Sequence, residues 1–228
     1  MLKENNQRRD AIYRALPKKE MNREHLETAI KRFIPEPSVP LIASWIQEHN
    51  VHLHISHKRN TKLGDYRAPY KGSTHRISIN HDLNHYDFLI TLVHEFAHLS
   101  TWNKHKHSVS PHGNEWKEEY KLLIQPFMQL AIFPEDVKVA LRRHFINPSA
   151  SCSDIQLQRI LKVYDKRNDT EITTVERIPM GSCFKLRNDH VFRKGILRRT
   201  RFECVDLTNG RLYLVNALAE CKLIQMKE

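Results

Sequence analysis

The segment from Leu89 to Trp102, LITLVHEFAHLSTW, constrains this chain more than any other. It sets His94 and His98 four residues apart with Glu95 beside them. Residues four apart on a helix share one face, with Cβ atoms about 6 Å apart, so two imidazoles there can close on one Zn²⁺. The neighbouring carboxylate then reaches a water activated by the metal.

In a chain with 15 histidines among 228 residues, five letters need support from their surroundings. On a helical wheel Phe88, Leu89, Leu92, Val93, Phe96 and Leu99 form a broad apolar face, and Asp87, Thr91, His94, His98 and Thr101 form one narrow polar stripe. Glu95 borders that stripe. A mostly buried helix with a single polar line carrying both histidines is what a metal cleft requires. Asn84, with Asp87 three residues on, has the spacing of a capping box and predicts the helix start. The pattern is the HExxH arrangement of zinc-dependent peptidases.

A length of 228 residues suits one domain of moderate size plus a small appendage, and 40% hydrophobic content is enough for a core. No run approaches 18 consecutive apolar residues, and MLKENNQRRD lacks the apolar stretch of a signal peptide. The expectation is a cytoplasmic protein without membrane association. Cys152, Cys183, Cys204 and Cys221 occur singly, so neither a disulfide framework nor a zinc ribbon is evident, and buried free thiols are expected.

The formal net charge of +11 is unevenly spread. Residues 51–80 carry Lys58, Arg59, Lys62, Arg67, Lys71 and Arg76 against Asp65 alone, while residues 81–150 carry seven basic and eight acidic side chains. Farther on, Arg193, Lys194, Arg198, Arg199 and Arg201 are bunched without an intervening acid. Concentrated basic surface attracts phosphate backbones, and the loop between residues 58 and 74 interleaves its cations with Tyr66 and Tyr70, which could stack on bases. Lys58, Arg59, Lys62, Arg67, Lys71, Arg193, Lys194, Arg198, Arg199 and Arg201 are therefore candidate nucleic-acid contacts, with DNA as a candidate partner. Ordinary solvated charge is the competing reading.

Along the chain, the first 35 residues read as helical before Pro35 and Pro37, and Ser38 can cap a helix through Leu41, Ile42, Trp45 and Ile46. VHLHISH and HRISIN alternate as half-buried strands do. A helix is expected to run toward Pro126, another from Leu130 to Ile146 broken at Pro134, and a short one around Ile155 to Tyr164 after a linker-like NPSASCSD. From Ile172 the pattern becomes strands, FKLR, RTRFECVDL and RLYLVNAL, with turn signals at Asn188-Asp189 and Asn209-Gly210. These features predict an α+β chain in three parts: residues 1–150, a linker with a short helix over 151–169, and a small basic all-β module over 170–228.

Catalytic zinc needs a third protein ligand and leaves a fourth position to water. The metzincin pattern would demand Gly and His where the chain has Thr101 and Lys104, so that class is excluded. Glu115, Glu118, Glu119, His105, His107 and His112 all compete for the place. HEFAH followed by HGNEW, with RISIN and a KLG-bearing loop upstream, resembles the SprT-like zinc metallopeptidases of the SprT/Spartan type, over roughly residues 24 to 135. The resemblance implies a zincin-like core of helices and a small antiparallel sheet, with His112 of the HGxxF/W motif as third ligand and Trp116 one turn on as an anchor. The C-terminal segment departs from relatives with a zinc ribbon there, because no second cysteine follows Cys204 at the expected offset. That module is expected to be ribbon-like or barrel-like and free of metal.

The reaction so implied is peptide-bond hydrolysis with one Zn²⁺ held by His94, His98 and His112, and Glu95 as the base that takes a proton from water. Protein would be the substrate, and the resemblance extends it to proteins associated with DNA. Lys62, Tyr66 and His75 are candidate second donors to the oxyanion, and Glu115 a candidate partner of a ligand. The alternative is a nucleic-acid-binding protein whose zinc is structural, closed by His105, His107 or Glu118 as fourth ligand. Glu95 argues against it, since a structural site has no use for a base.

Overall fold

The computed structural model describes residues 22–59, 61–146, 148, 154–165 and 171–224. The helical reading of the first 21 residues, Cys152 and most of the segment 147–154 lie outside the described residues. The chain divides into two compact units, Met1–Asp165 and Lys166–Glu228. The architecture is α+β.

In the first unit, α1 (Arg23–Ile30) starts where Asn22 accepts a hydrogen bond from the Glu24 N–H, and it buries Leu26 and Ile30 four residues apart. A 3₁₀ turn (Glu36–Ser38) leads into α2 (Val39–Glu48), whose Val39, Ile42, Ala43 and Ile46 face the core. Strands β1 (Val51–Ser56), β2 (Gly64–Arg67) and β3 (His75–Asn80) form a sheet in the order β1-β3-β2. The expected antiparallel sheet is in fact mixed: β2 and β3 run antiparallel, but β1 and β3 run parallel. The physical reason lies in the segment read as a loop, whose middle forms β2. Each of its two reversals turns the chain, so β3 regains the direction of β1 and fills the place between its predecessors. Val51, Leu53, Ile55, Ile77 and Ile79 point inward, which leaves the alternate polar residues on the other face.

Asn80 and Arg59 hold the segment between β1 and β2. The buried Asn80 amide donates to the Arg59 and Lys62 carbonyls, and its oxygen accepts from Arg59 Nε at 2.8 Å. Arg59 also donates to the Ser78 hydroxyl at 3.0 Å. This brace fixes Leu63 and Gly64 beside the helix that follows.

That helix, α3 (His85–His105), is capped by Asn84, whose side chain accepts from the Tyr86 and Asp87 N–H groups. The cap side of the expected box is present, while Asp87 is turned inward and buried. α3 packs on β2 and β3 and on α4 (Asn114–Gln129), to which it is tied by Ser100 donating to Glu119 at 2.6 Å. Trp45 sets its ring edge-on to Phe96 of α3 and Phe127 of α4, joining three helices in one apolar layer. α4 continues through Pro126, where the sequence suggested a stop. The expected helix from Leu130 shortens to α5 (Glu135–His144), because the residue before Pro134 is pushed out of helical conformation and the Pro134 carbonyl, accepting from the Lys138 N–H at 3.0 Å, opens the new helix. α6 (Ile155–Leu161), capped by Asp154, buries Leu157 and Leu161 in the same core.

The second unit is a six-stranded antiparallel sheet of β4 (Ile172–Thr174), β5 (Cys183–Leu186), β6 (Val191–Arg198), β7 (Arg201–Asp206), β8 (Leu212–Asn216) and β9 (Glu220–Ile224), in the order β4-β9-β5-β6-β7-β8. Val175, Ile178, Phe184, Phe192, Cys204, Val215 and Cys221 form its small core. Turns fall at the expected Asn188-Asp189 and Asn209-Gly210, with Asp189 and Gly210 in the left-handed region that such turns need. β6 escaped the sequence reading because its Arg193, Lys194 and Arg198 interrupt the apolar alternation. Its ladder with β7 slips between Lys194 and Leu197, and Gly195 sits where an added Cβ would meet the Glu203 carbonyl at 2.3 Å. Cys183, Cys204 and Cys221 are buried free thiols. Among the described residues no helix is long and apolar enough to cross a membrane.

Candidate metal centre

Helix α3 carries His94 and His98 on consecutive turns, while its remaining faces are occupied by the core. His94 is buried and His98 half-buried. His112 comes from the turn that joins α3 to α4, where its φ of 60° is left-handed. The turn is closed by Gly113 N–H donating to the Ser110 carbonyl at 3.0 Å, and Gly113 then caps α4. One ligand atom from each of the three imidazoles lies within 4.8 Å of the others. The Nε2 atoms of His94 and His112 stand 3.4 Å apart. Two nitrogens bound at about 2.0–2.1 Å to one tetrahedral ion are about 3.3 Å from each other, so this spacing suits a shared ion.

Trp116 forms the floor of the group. It is fully buried one turn into α4, and its ring lies 4.7 Å from His94, 5.3 Å from His98 and 4.7 Å from His112 between centroids. Behind His94, Tyr120 approaches edge-on at 5.3 Å. On the sheet side, the Tyr66 ring lies parallel to His98 at 6.5 Å, and its hydroxyl is hydrogen-bonded to His75 Nδ1 at 2.9 Å. His75 in turn meets Trp102 edge-on. Aromatic walls on two sides thus limit how the imidazoles can turn.

Burial dominates the electrostatics. Desolvation depresses the pKa of His94 to about 2 and of His98 to about 3, with the neighbouring imidazoles acting in the same direction, and burial also lowers His112. All three are then neutral near pH 7, the form that binds metals. Glu95, also buried, has its pKa raised to about 8 by burial first and by the charge of Asp65 second. Arg59, Lys62 and the Tyr66 backbone N–H oppose that rise. A buried carboxyl held neutral on the helix that carries two of these imidazoles ionises more readily once a cation binds near it.

Gly64 makes the room that Glu95 occupies. A Cβ there would stand 2.5 Å from Glu95 Oε1 and 2.8 Å from Thr91 Cγ2. Gly64→Ala is therefore expected to push the carboxylate off its position and to destabilise the fold by about 1–3 kcal/mol. Thermal unfolding and the metal content of the variant check this: the expected result is a lower Tm with the three histidines still able to bind. The sequence offered the KLG loop as part of a resemblance, but the steric role of its glycine needs the approach of β2 to α3.

The three histidines come together, and the other candidates do not join them. His105, His107, Glu115, Glu118 and Glu119 lie outside the group, and Glu119 is engaged by Ser100 and Lys104. His144, which no spacing pointed to, is buried behind Tyr120 and faces Asp154 at 3.4 Å. Among the basic candidates, Lys58 pairs with Asp82, Lys62 and Arg67 pair with Asp65, and Arg59 is committed to Asn80 and Ser78. Lys71 is exposed beside Tyr70. In the second unit Lys194 is buried and donates to the Glu176 and Ile178 carbonyls under the Phe202 ring. Arg198 pairs with Glu203, and Arg193, Arg199 and Arg201 are exposed.

No protein-family model, curated protein or solved structure matches the chain.

Proposed function

We propose that this group is the centre of a zinc-dependent peptidase of the SprT-like kind, with His94, His98 and His112 as ligands and Glu95 as the general base. The observation that carries the reading is the group of three neutral imidazoles whose ligand atoms lie within 4.8 Å of one another, with the buried Glu95 on the helix that supplies two of them. An imidazole set suits zinc, a borderline-soft ion. Among the described residues the group contributes three donors, which leaves a fourth tetrahedral position for water or substrate. That count favours catalysis over a structural role.

Bound by these residues, zinc would supply Lewis acidity, acidifying water toward about pKa 7 and polarising a carbonyl. Glu95 takes up a proton at its carboxylate and passes it to the leaving amine. The Tyr66 N–H favours the charged form of that carboxylate. β2 is an edge strand, and Asn80 N–H donating to the Leu63 carbonyl sets the ladder so that the backbone groups of Gly64 and Tyr66 face away from β3. An extended peptide lying along that edge would pass directly beside Glu95. Protein substrates in an unfolded or extended state fit this arrangement better than small amides.

The test is metal content together with turnover on an unfolded protein. Near-stoichiometric zinc, with cleavage that a chelator abolishes and added zinc restores, is the expected result. Stoichiometric zinc without cleavage under any condition would favour a structural site, and absence of metal in protein purified without chelator would remove both readings.

A further inference from the structure

The C-terminal sheet ends in two edges that the chain treats differently. The β4 edge is three residues long and runs straight into a 3₁₀ turn at Val175, which shields it by brevity. The β8 edge carries none of the usual protection. It contains no proline, no lysine and no bulge, and three successive residues are large and apolar: Leu212, Tyr213 and Leu214 are 63%, 42% and 54% exposed. An edge of this kind is a template for another strand, and proteins normally blunt it unless it is used.

The register says which groups it offers. Asp206 N–H donates to the Arg211 carbonyl at 2.9 Å, so in the antiparallel ladder Arg211, Tyr213 and Val215 direct their backbone groups at β7. Leu212 and Leu214 therefore present theirs to the free edge, joined by the Asn216 N–H, while the Asn216 carbonyl accepts from the Ala219 N–H at 3.0 Å. Val215 is buried in the core and Tyr213 packs on Phe192, so Leu212 and Leu214 also turn their side chains to the outer face. Free backbone and exposed aliphatic surface coincide on the same two residues.

Charge identifies the occupant. Arg211 precedes the strand, and Arg201 lies opposite Asn216 at its far end; neither makes an ion pair with another described residue, and Arg193 and Arg199 are exposed nearby. The apolar stretch is bracketed by cations. A second copy would bring like charges together, and residues 1–21 of this chain, with six Lys/Arg against three Asp/Glu, are also basic. Nucleic acid would match the charge but not the rest, since leucines give bases no stacking face and open N–H and C=O groups are matched by another peptide backbone. We propose that the β8 edge receives an extended segment of a partner protein, apolar in its middle and acidic at both ends, as a seventh strand. This docking does not depend on the histidine site.

The probe is a capped peptide of sequence Glu-Glu-Val-Thr-Val-Thr-Val-Glu-Glu, offered to the full chain alongside its Lys-for-Glu counterpart and a short oligothymidylate. The acidic peptide is expected to bind, to slow hydrogen exchange at the Leu212, Leu214 and Asn216 amides, and to weaken as salt rises. Leu214→Pro removes an outward N–H without touching the β7 ladder and should abolish binding. Arg201→Glu combined with Arg211→Glu should weaken it about tenfold or more, and decides the matter if the proline variant fails to fold. Binding without protection at those amides, or undiminished by the arginine reversal, overturns the proposal. So do preferential binding of the oligothymidylate and concentration-dependent self-association that protects β8.

Discussion

Replacing Glu95 by Gln is expected to lower peptide hydrolysis by about 10²–10⁴-fold while leaving bound zinc at the level of the parent. The amide keeps the volume of the buried carboxyl, but it cannot take up a proton. The same variant carries a second signature in the metal-free protein. The Glu95 pKa is raised to about 8 in the fold, against about 4.3 in the unfolded chain, so its favourable contribution is complete below about pH 4.3 and is lost as pH rises toward 8. Glu95→Gln should therefore stabilise the metal-free protein at pH 7 by about 1 kcal/mol or more, and by little at pH 4. Turnover, metal analysis and unfolding at the two pH values separate the roles. Parental turnover in Glu95→Gln would show that another group is the base.

Replacing His112 by Ala is expected to weaken zinc binding by more than about a hundredfold, since a first-sphere ligand exceeds the effect of its outer partners. Stability without metal should change little, because His112 is half-buried in a turn and Trp116 continues to fill the space beneath it. The left-handed φ adds a useful comparison. His112→Asn tolerates that conformation better than Ala, so it should restore any lost stability without restoring affinity. Titration with zinc, followed by metal analysis and by the emission of Trp116, measures the loss. A parallel His105→Ala variant should bind like the parent. Unchanged affinity in His112→Ala would remove His112 from the ligand set, and with it the three-imidazole centre.

How much of this was legible in the sequence varies with the range of the interactions involved. The α3 helix was visible because its cap, its apolar face and its histidine stripe are all local, set by a 3.6-residue period. The strands β1 and β3 were visible for the same reason, through a period of two. β2 was not, because GDYR has little apolar alternation and is a strand only by pairing with β3. Its pairing also decides that the first sheet is mixed. Charge was the least transferable signal: Arg59 and Lys194 read as surface cations, but one braces a loop through Asn80 and the other is buried against two carbonyls. Counting cations along a chain cannot tell a solvated arginine from one whose donors are already satisfied.

By itself the sequence determined that one helix would carry two imidazoles on a narrow polar line with a carboxylate at its border, because i to i+4 spacing puts the two imidazoles on one face. It also determined that the chain would end in strands. Only the tertiary structure decided which of six downstream candidates joins the pair, since the turn at His112 must return against α3 for its nitrogen to come within 3.4 Å of His94. Only the approach of β2 to α3 gives Glu95 its buried, glycine-lined seat. Both depend on distances between segments far apart in the chain, and local periodicity carries no information about those.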